Sequence, residues 1–253
     1  MDTRKVALGF LLVGLTTGLA GCSTIELISK ERAPNPEDPY EPLNRDIYAF
    51  NRFMDRNLLK PAAKGYSAIL PGAMQRGINN FFNNLRMIPT VLNDVLQWKW
   101  SDAADDGTRL LINSTVGVIG FYDWATGWGY PAHYEDFGQT LATWGFEESA
   151  FLMLPLMGPS TLRDGAGIFV DRGYLSIWPY IDDDRVYYGL LATETIDDRA
   201  ALLSSERVAE SATDEYALVR SAYLQKRAHQ IRDGQVPEEE DDYYNDPFAD
   251  MDE

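Results

Sequence analysis

At 253 residues, with a formal net charge of −17, one cysteine and two histidines, the chain excludes a disulfide framework and offers no basic face for nucleic acid. The charge is unevenly placed: Asp233 to Glu253 holds ten acidic residues and no basic one, so this tail carries −10 and everything before it −7. About 230 residues follow Cys22, enough for one domain with its own core.

The chain opens with Arg4 and Lys5, an uncharged stretch from Val6 to Ala20, and then Leu19-Ala20-Gly21-Cys22. A basic start, an apolar run and small residues at a cleavage site predict a secretory signal peptide over residues 1–21. The small residues end on the sole cysteine, as in the lipobox of bacterial lipoproteins, so Cys22 is the expected lipidation site and new N-terminus. The uncharged run through Ile25 could instead be an uncleaved membrane anchor, but Gly9, Gly14, Thr16, Thr17 and Gly18 make it a poor helix. Each buried methylene contributes about 0.8 kcal/mol, so two or more acyl chains on one residue anchor stably. Ser23 stands where an Asp commonly signals inner-membrane retention, which favours the outer membrane.

Residues 22–42, with Pro34, Pro36, Pro39 and Pro42, read as a stiff lipidated tether. A helical domain is expected over 43–232. Leu43, Ile47, Phe50, Met54 and Leu58 recur at spacings of three and four, one apolar face of a helix that Pro61 should stop. Leu85, Ile88, Leu92, Val95 and Leu96 make a second such face, which Pro89 should kink or divide. A third helix begins near Ser101 or Asp102 and runs through Leu110, Leu111 and Ile112 towards Gly117. From Phe121 to Tyr134 aromatic residues among Gly127, Gly129 and Pro131 predict a loop. Thr161 and Asp164 have capping-box spacing after Gly158-Pro159, and Leu162, Ala166, Phe169 and Val170 continue on one face. Ser205 to Arg232 predicts a long last helix. No stretch alternates as a strand does, so the expected class is all-α, a single domain. Residues 233–253 read as a disordered, solvated acidic tail, with docking onto a basic partner as the alternative.

Chemistry-bearing motifs are sparse. His133 and His229 lie far apart, and His-Glu-x-x-His, paired Cys, Gly-x-Ser-x-Gly and the phosphate-binding Gly-x-x-x-x-Gly-Lys are all missing. Asp164 to Gly167 holds Gly-x-Gly without the rest of a dinucleotide fingerprint. Glu135, Asp136, Glu147, Glu148, Asp182, Asp183 and Asp184 could supply a hydrolase pair, but such runs are usually solvated surface. No metal, no cofactor and no enzyme activity is expected. The continuous apolar run Phe151 to Met157 is too short to span a membrane; it is expected in the core, with a lipid-facing surface as the alternative. Trp98, Trp100, Trp124 and Trp128 carry the same choice between core and bilayer interface, with core the default. Arg220, Lys226, Arg227 and Arg232 suit the negative end of the last helix, or lipid phosphates.

Several motifs in order resemble the VacJ/MlaA-like lipoprotein family. They are Asp38-Pro39-Tyr40-Glu41-Pro42-Leu43-Asn44-Arg45 with Phe50-Asn51, then Asn79-Asn80-Phe81-Phe82-x-Asn84-Leu85, and Leu111-Ile112-Asn113-Ser114-Thr115-Val116-Gly117. More specific is Glu135-Asp136-Phe137-Gly138-Gln139-Thr140-Leu141, followed by Leu154-Pro155-x-x-Gly158-Pro159-Ser160-Thr161-Leu162-Arg163-Asp164. Tyr216-x-x-Val219-Arg220-x-x-Tyr223 ends the resemblance, which spans Asp38 to Arg232. It implies a ring of amphipathic helices in the outer membrane, closed by breaks at Pro61, Pro89 and Pro155, on the periplasmic side. An amphipathic pore would remove phospholipids from the outer leaflet and pass them to a soluble periplasmic carrier, with a trimeric porin as partner. Ring, pore and turn residues carried over from the motifs are Asn44, Phe50, Asn51, Gly138, Thr140, Gly145, Pro155, Gly158, Pro159, Arg163 and Asp164, with Gly158 and Pro159 as turn-formers and Asp164 as a helix cap. The chain departs from the family at Ala142 and from Phe146 to Phe151, where glycines are usual, so a stiffer and more acidic segment is expected there. A structural envelope lipoprotein, scaffolding a porin or peptidoglycan through the acidic tail, is the alternative function.

Overall fold

The computed structural model describes residues 38–146, 149–206 and 210–235. The signal peptide, Cys22, most of the tether, Glu147, Glu148 and nearly all of the acidic tail lie outside them. Helix α1 (Glu41–Met54) has Pro42 in its first turn, where a missing N–H costs nothing. Pro61 does not stop it. A π-helical turn (Asp55–Leu59) leads straight into α2 (Lys60–Ile69), and Pro61 falls in the first turn of α2. The break comes instead at Leu70, which is extended before Pro71, the conformation a residue preceding proline prefers.

Helix α3 (Gly72–Leu96) runs through Pro89 without being divided. After Trp98, in the left-handed region at φ 65°, α4 (Trp100–Thr115) folds back onto α3. The aromatic loop holds one helical turn, α5 (Trp124–Gly127), capped by Asp123. Helix α6 (Phe137–Thr143) is capped by Asp136.

The helical class stands, with one correction: residues 151–161 form a β-hairpin. Strand β1 (Phe151–Leu154) pairs antiparallel with β2 (Gly158–Thr161) in the register Phe151↔Thr161 to Leu154↔Gly158. Pro155 sits in its turn rather than between helices, beside Leu156 at φ 63° and Gly158 at φ 87°. Two amides on α1 close the free edge of β1. Asn44 donates to the Phe151 carbonyl (3.1 Å) and accepts from the Met153 N–H (2.8 Å); Asn51, two turns on, does the same for Leu154 O (2.9 Å) and Leu156 N (2.7 Å). They stand in for a third strand, satisfying backbone groups an edge would leave open.

Helix α7 (Leu162–Val170) is capped by Thr161, whose hydroxyl accepts from the Asp164 N–H; Asp164 is therefore the third helical residue and not the cap. A π-helical turn (Asp171–Leu175) and a short 3-10 turn (Trp178–Tyr180) follow. Helix α8 (Asp184–Ala201), which the apolar spacing did not reveal, packs on α2 and α3. The last helix, α9 (Glu215–Ile231), is shorter than expected and packs on α6 and β2.

Polarity runs inside out. Among the described residues the interior holds mostly polar side chains, including Asn44, Asn93, Asp94, Thr140 and Asp106, and comparatively few apolar ones, chiefly Phe82, Met87, Phe151, Met153 and Tyr216. Trp98, Trp100, Trp124 and Trp128 are all exposed, as are Leu43 and Phe50 of the apolar face of α1, Leu58 of the π-helical turn after it, and Leu92 and Val95 of the apolar face of α3. The Phe151–Met157 run splits: Phe151 and Met153 are buried, Leu156 and Met157 point outward. No helix among the described residues is long and apolar enough to cross a membrane.

Candidate functional site

The α3–α4 hairpin and the segment after it enclose two adjoining cavities. The smaller, about 110 Å³, is lined by Asn80, Asn83 and Asn84 of α3, Arg109 and Asn113 of α4, and Asp123, Ala132 and Tyr134. The larger, about 360 Å³, shares Asn80 and Asp123 and is otherwise walled by Ala73, Arg76, Gly77, Phe121, Tyr122 and Trp124. Helical spacing explains the split: asparagines three and four apart on α3 share a face. Gly77, one turn earlier, leaves room for the Phe121 ring, since a Cβ there would lie 2.1 Å from it.

The polar wall is nearly neutral. Arg109 donates to Asp123 (2.7 Å), Thr126 Oγ1 (2.8 Å) and the Tyr130 carbonyl (2.7 Å). Asn113 donates to Asp123 (3.0 Å) and accepts from the Trp124 and Ala125 N–H groups, fixing α5 on α4. Asn84 donates to Ser114 Oγ (2.9 Å), and its buried carbonyl oxygen has no partner. Such a wall offers hydrogen bonds to a dipolar group without a net charge, while the adjoining wall adds the aromatic surfaces of Phe121, Tyr122 and Trp124.

Burial pushes the Asp123 carboxyl up, but hydrogen bonds from Thr126, Arg109 and Asn113 outweigh it and hold the group at about 2. A pKa below the unfolded value means the stabilisation is complete above roughly pH 4 and is lost as pH falls through the folded value. Acid unfolding followed by circular dichroism should therefore show Asp123→Asn less pH-sensitive between about 4 and 2 than the parent, and less stable at neutral pH.

A family model for the MlaA lipoprotein matches residues 36–230, nearly all of the described fold. The chain belongs to the MlaA lipoprotein family. Within it, the intermembrane phospholipid transport system lipoprotein MlaA of Escherichia coli is 30% identical over 245 residues, 93% of either chain. Its Haemophilus influenzae counterpart is 27% identical over 258 residues, 100% of both. An uncharacterised Rickettsia felis protein is 33% identical over 196 residues, 77% of this chain and 78% of that one. A solved structure, described as the structural basis for maintenance of bacterial outer membrane lipid asymmetry, superposes with a TM-score of 0.68 at 29% identity, covering 77% of this chain and 98% of that one.

Measured against this MlaA fold, the residues carried over from the motifs do not gather at the cavities. Asn44 and Asn51 hold β1, and Phe50 is exposed. Gly138 lies where α6 and α7 touch: a Cβ on Gly167 would come within 2.5 Å of its nitrogen. Thr140 is fully buried, donating to Asn93 (2.8 Å) and accepting from Gln97 (3.2 Å). Gly145 turns the chain at φ 101°, and Pro159 faces Met153 in the hairpin. Arg163 and Asp164 join a buried ionic knot with Arg227 and Asp136. The cavity residues Asn80, Asn84 and Asn113 stood inside recognised motifs but were not singled out. The signal for the two on α3 was the run of asparagines at 79, 80, 83 and 84, three and four residues apart.

Proposed function

We propose that this chain, anchored through lipidated Cys22, lies in the periplasmic half of the outer membrane as a ring-like body and removes phospholipids misplaced in the outer leaflet. It passes them through an amphipathic opening to a soluble periplasmic carrier, in association with a trimeric porin. The observation that carries this reading is the inversion of polarity: large apolar side chains face out and asparagine, aspartate and arginine face in. Membership of a family named for its lipoprotein, with relatives named for intermembrane phospholipid transport, supports the substrate class.

The larger cavity suits acyl chains and the asparagine-lined one a zwitterionic headgroup, so a lipid crosses the boundary with each part in matched surroundings. Transport forms no covalent bond, and its direction comes from the partner that withdraws lipid. The body rests within one leaflet on its exposed apolar faces.

Loop strain fits this seat. Val118 and Ile119 are both left-handed (φ 55° and 57°), a conformation unfavourable for β-branched residues, and both side chains are exposed. Relief of roughly 1–2 kcal/mol of strain, less the entropy of glycine, should make Val118→Gly about 1 kcal/mol more stable to denaturant. The same variant should bind phospholipid vesicles more weakly, because an apolar side chain is lost from the lipid face.

The functional test is complementation of a strain lacking its own such lipoprotein, reading surface phospholipid through acyl transfer onto lipopolysaccharide. Expression should restore a low signal and Cys22→Ala should not. An abundant, correctly localised protein that changes nothing even with its own porin and carrier supplied would overturn the proposal.

A further inference from the structure

We propose that Asp94, Asp106 and His133 form a divalent-cation site that staples the segment after α5 to the α3–α4 hairpin. One ligand atom from each lies within 4.8 Å of the others, bringing together two helices and a loop distant in sequence. Asp94 is completely buried, and neither carboxylate oxygen receives a hydrogen bond. The nearest cationic atom to it is His133 Nε2, at 3.9 Å. Asp106, also buried, meets His133 Nδ1. Of the other charged neighbours, Asp102 adds a further negative charge near Asp94, while Glu135 lies 4.0 Å from His133 Nε2 but accepts from Gln97 (2.8 Å) and Lys99 (3.0 Å), and Lys99 also pairs with Asp233.

Two buried carboxylates beside a single imidazole are an arrangement that a bare interior disfavours and a cation resolves. One nitrogen and two carboxylate oxygens suit Zn²⁺ or Mn²⁺ better than Ca²⁺ or Mg²⁺, which favour all-oxygen sites. Metal–ligand bonds of about 2.0–2.2 Å would draw the three groups closer, and water completes the coordination. The half-exposed His133 leaves a side open for entry. The site also bears on the cavity: Arg109 is one turn along α4 from Asp106, and Tyr134, next to His133, lines the asparagine pocket. A bound ion fixes that wall.

The test uses the full lipoprotein in detergent, without a polyhistidine tag, stripped with chelator and then titrated with Zn²⁺ by calorimetry and with Co²⁺ by visible absorbance. One equivalent of Zn²⁺ should bind and raise the thermal transition, and Co²⁺ should give the spectrum of mixed nitrogen and oxygen ligation. Asp94→Asn and Asp106→Asn should each weaken binding by about tenfold or more, since each removes a charged ligand. His133→Gln, a change at a half-exposed position, should abolish the Co²⁺ spectrum and serves if either buried variant fails to fold. No binding, or uptake that all three variants leave unchanged, would overturn the site.

Discussion

Replacing Arg227 with methionine should destabilise the domain by about 3–5 kcal/mol, the range seen when one partner of a buried ion pair is removed. Arg227 donates to both oxygens of Asp136 (2.6 Å each) and to Asp164 (2.8 Å). Asp164 accepts in turn from Tyr223 (2.7 Å) and from Arg163 (3.0 Å). Burial pushes the Asp164 carboxyl up, yet Arg227, Tyr223 and Arg163 together keep it below its ordinary value. The knot therefore joins α6, α7 and α9, with Arg227 and Asp164 buried and Asp136 partly open to water. Methionine would leave Asp164 with one cation and Asp136 with none from this group. Equilibrium denaturation in detergent measures the loss. Arg227→Lys should recover only part of it, because an ammonium cannot serve two carboxylates with the fixed fork of a guanidinium.

Asn80→Phe should reduce phospholipid transport by about tenfold or more while leaving the fold standing. Asn80 is the one α3 asparagine common to both cavities, and its bond to the Phe121 carbonyl is long at 3.3 Å. A phenyl ring there both fills the passage and removes a hydrogen-bonding group where a headgroup would lose its water, a mismatch of roughly 1–3 kcal/mol. The readout is surface phospholipid in the complementation strain, with protein abundance and thermal transition measured alongside. Asn44→Ala is the contrast. It uncaps the edge of β1, so it should lower stability and abundance first and transport only in consequence.

The contrast between these two asparagines marks what could be read from the sequence. Some helix starts followed from apolar spacing and caps: α4 and α7 begin within a residue or two of the expected places. The spacing of Leu43, Ile47, Phe50 and Leu58 correctly signalled a helix but not which side was buried, because periodicity is identical whether the apolar face meets a core or lipid. Leu43, Phe50 and Leu58 are exposed, and Asn44 lies underneath. The prolines misled for a local reason. Pro61 sits in the first turn after a π-helical turn and so does not stop the chain's helical path, and Pro89 is carried inside a long helix without dividing it. The hairpin was invisible because its strands have four residues each and its edge partner is a helix, so no alternation accumulates.

Candidate-site residues were legible as motifs but not as roles. Most of those carried over from the motifs are scaffolding: amides that close an edge, glycines where backbones touch, and the Arg163–Asp164 pair in a buried knot. The residues that line the cavities come from α3 and α4, where single asparagines look unremarkable until the helices are packed together. Asp94, Asp106 and His133, separated by up to about forty positions, could be joined only by the fold.

The transport function depends on the outward apolar side chains meeting lipid. The most direct measurement places the full lipoprotein, reduced to a single tryptophan at Trp98 or Trp128, in bilayers whose acyl chains carry bromine. Both residues are exposed, at 72% and 56%. Their fluorescence should be strongly quenched by the brominated chains and little affected by acrylamide in the water. Strong acrylamide quenching with no response to bromine at both positions would contradict the account.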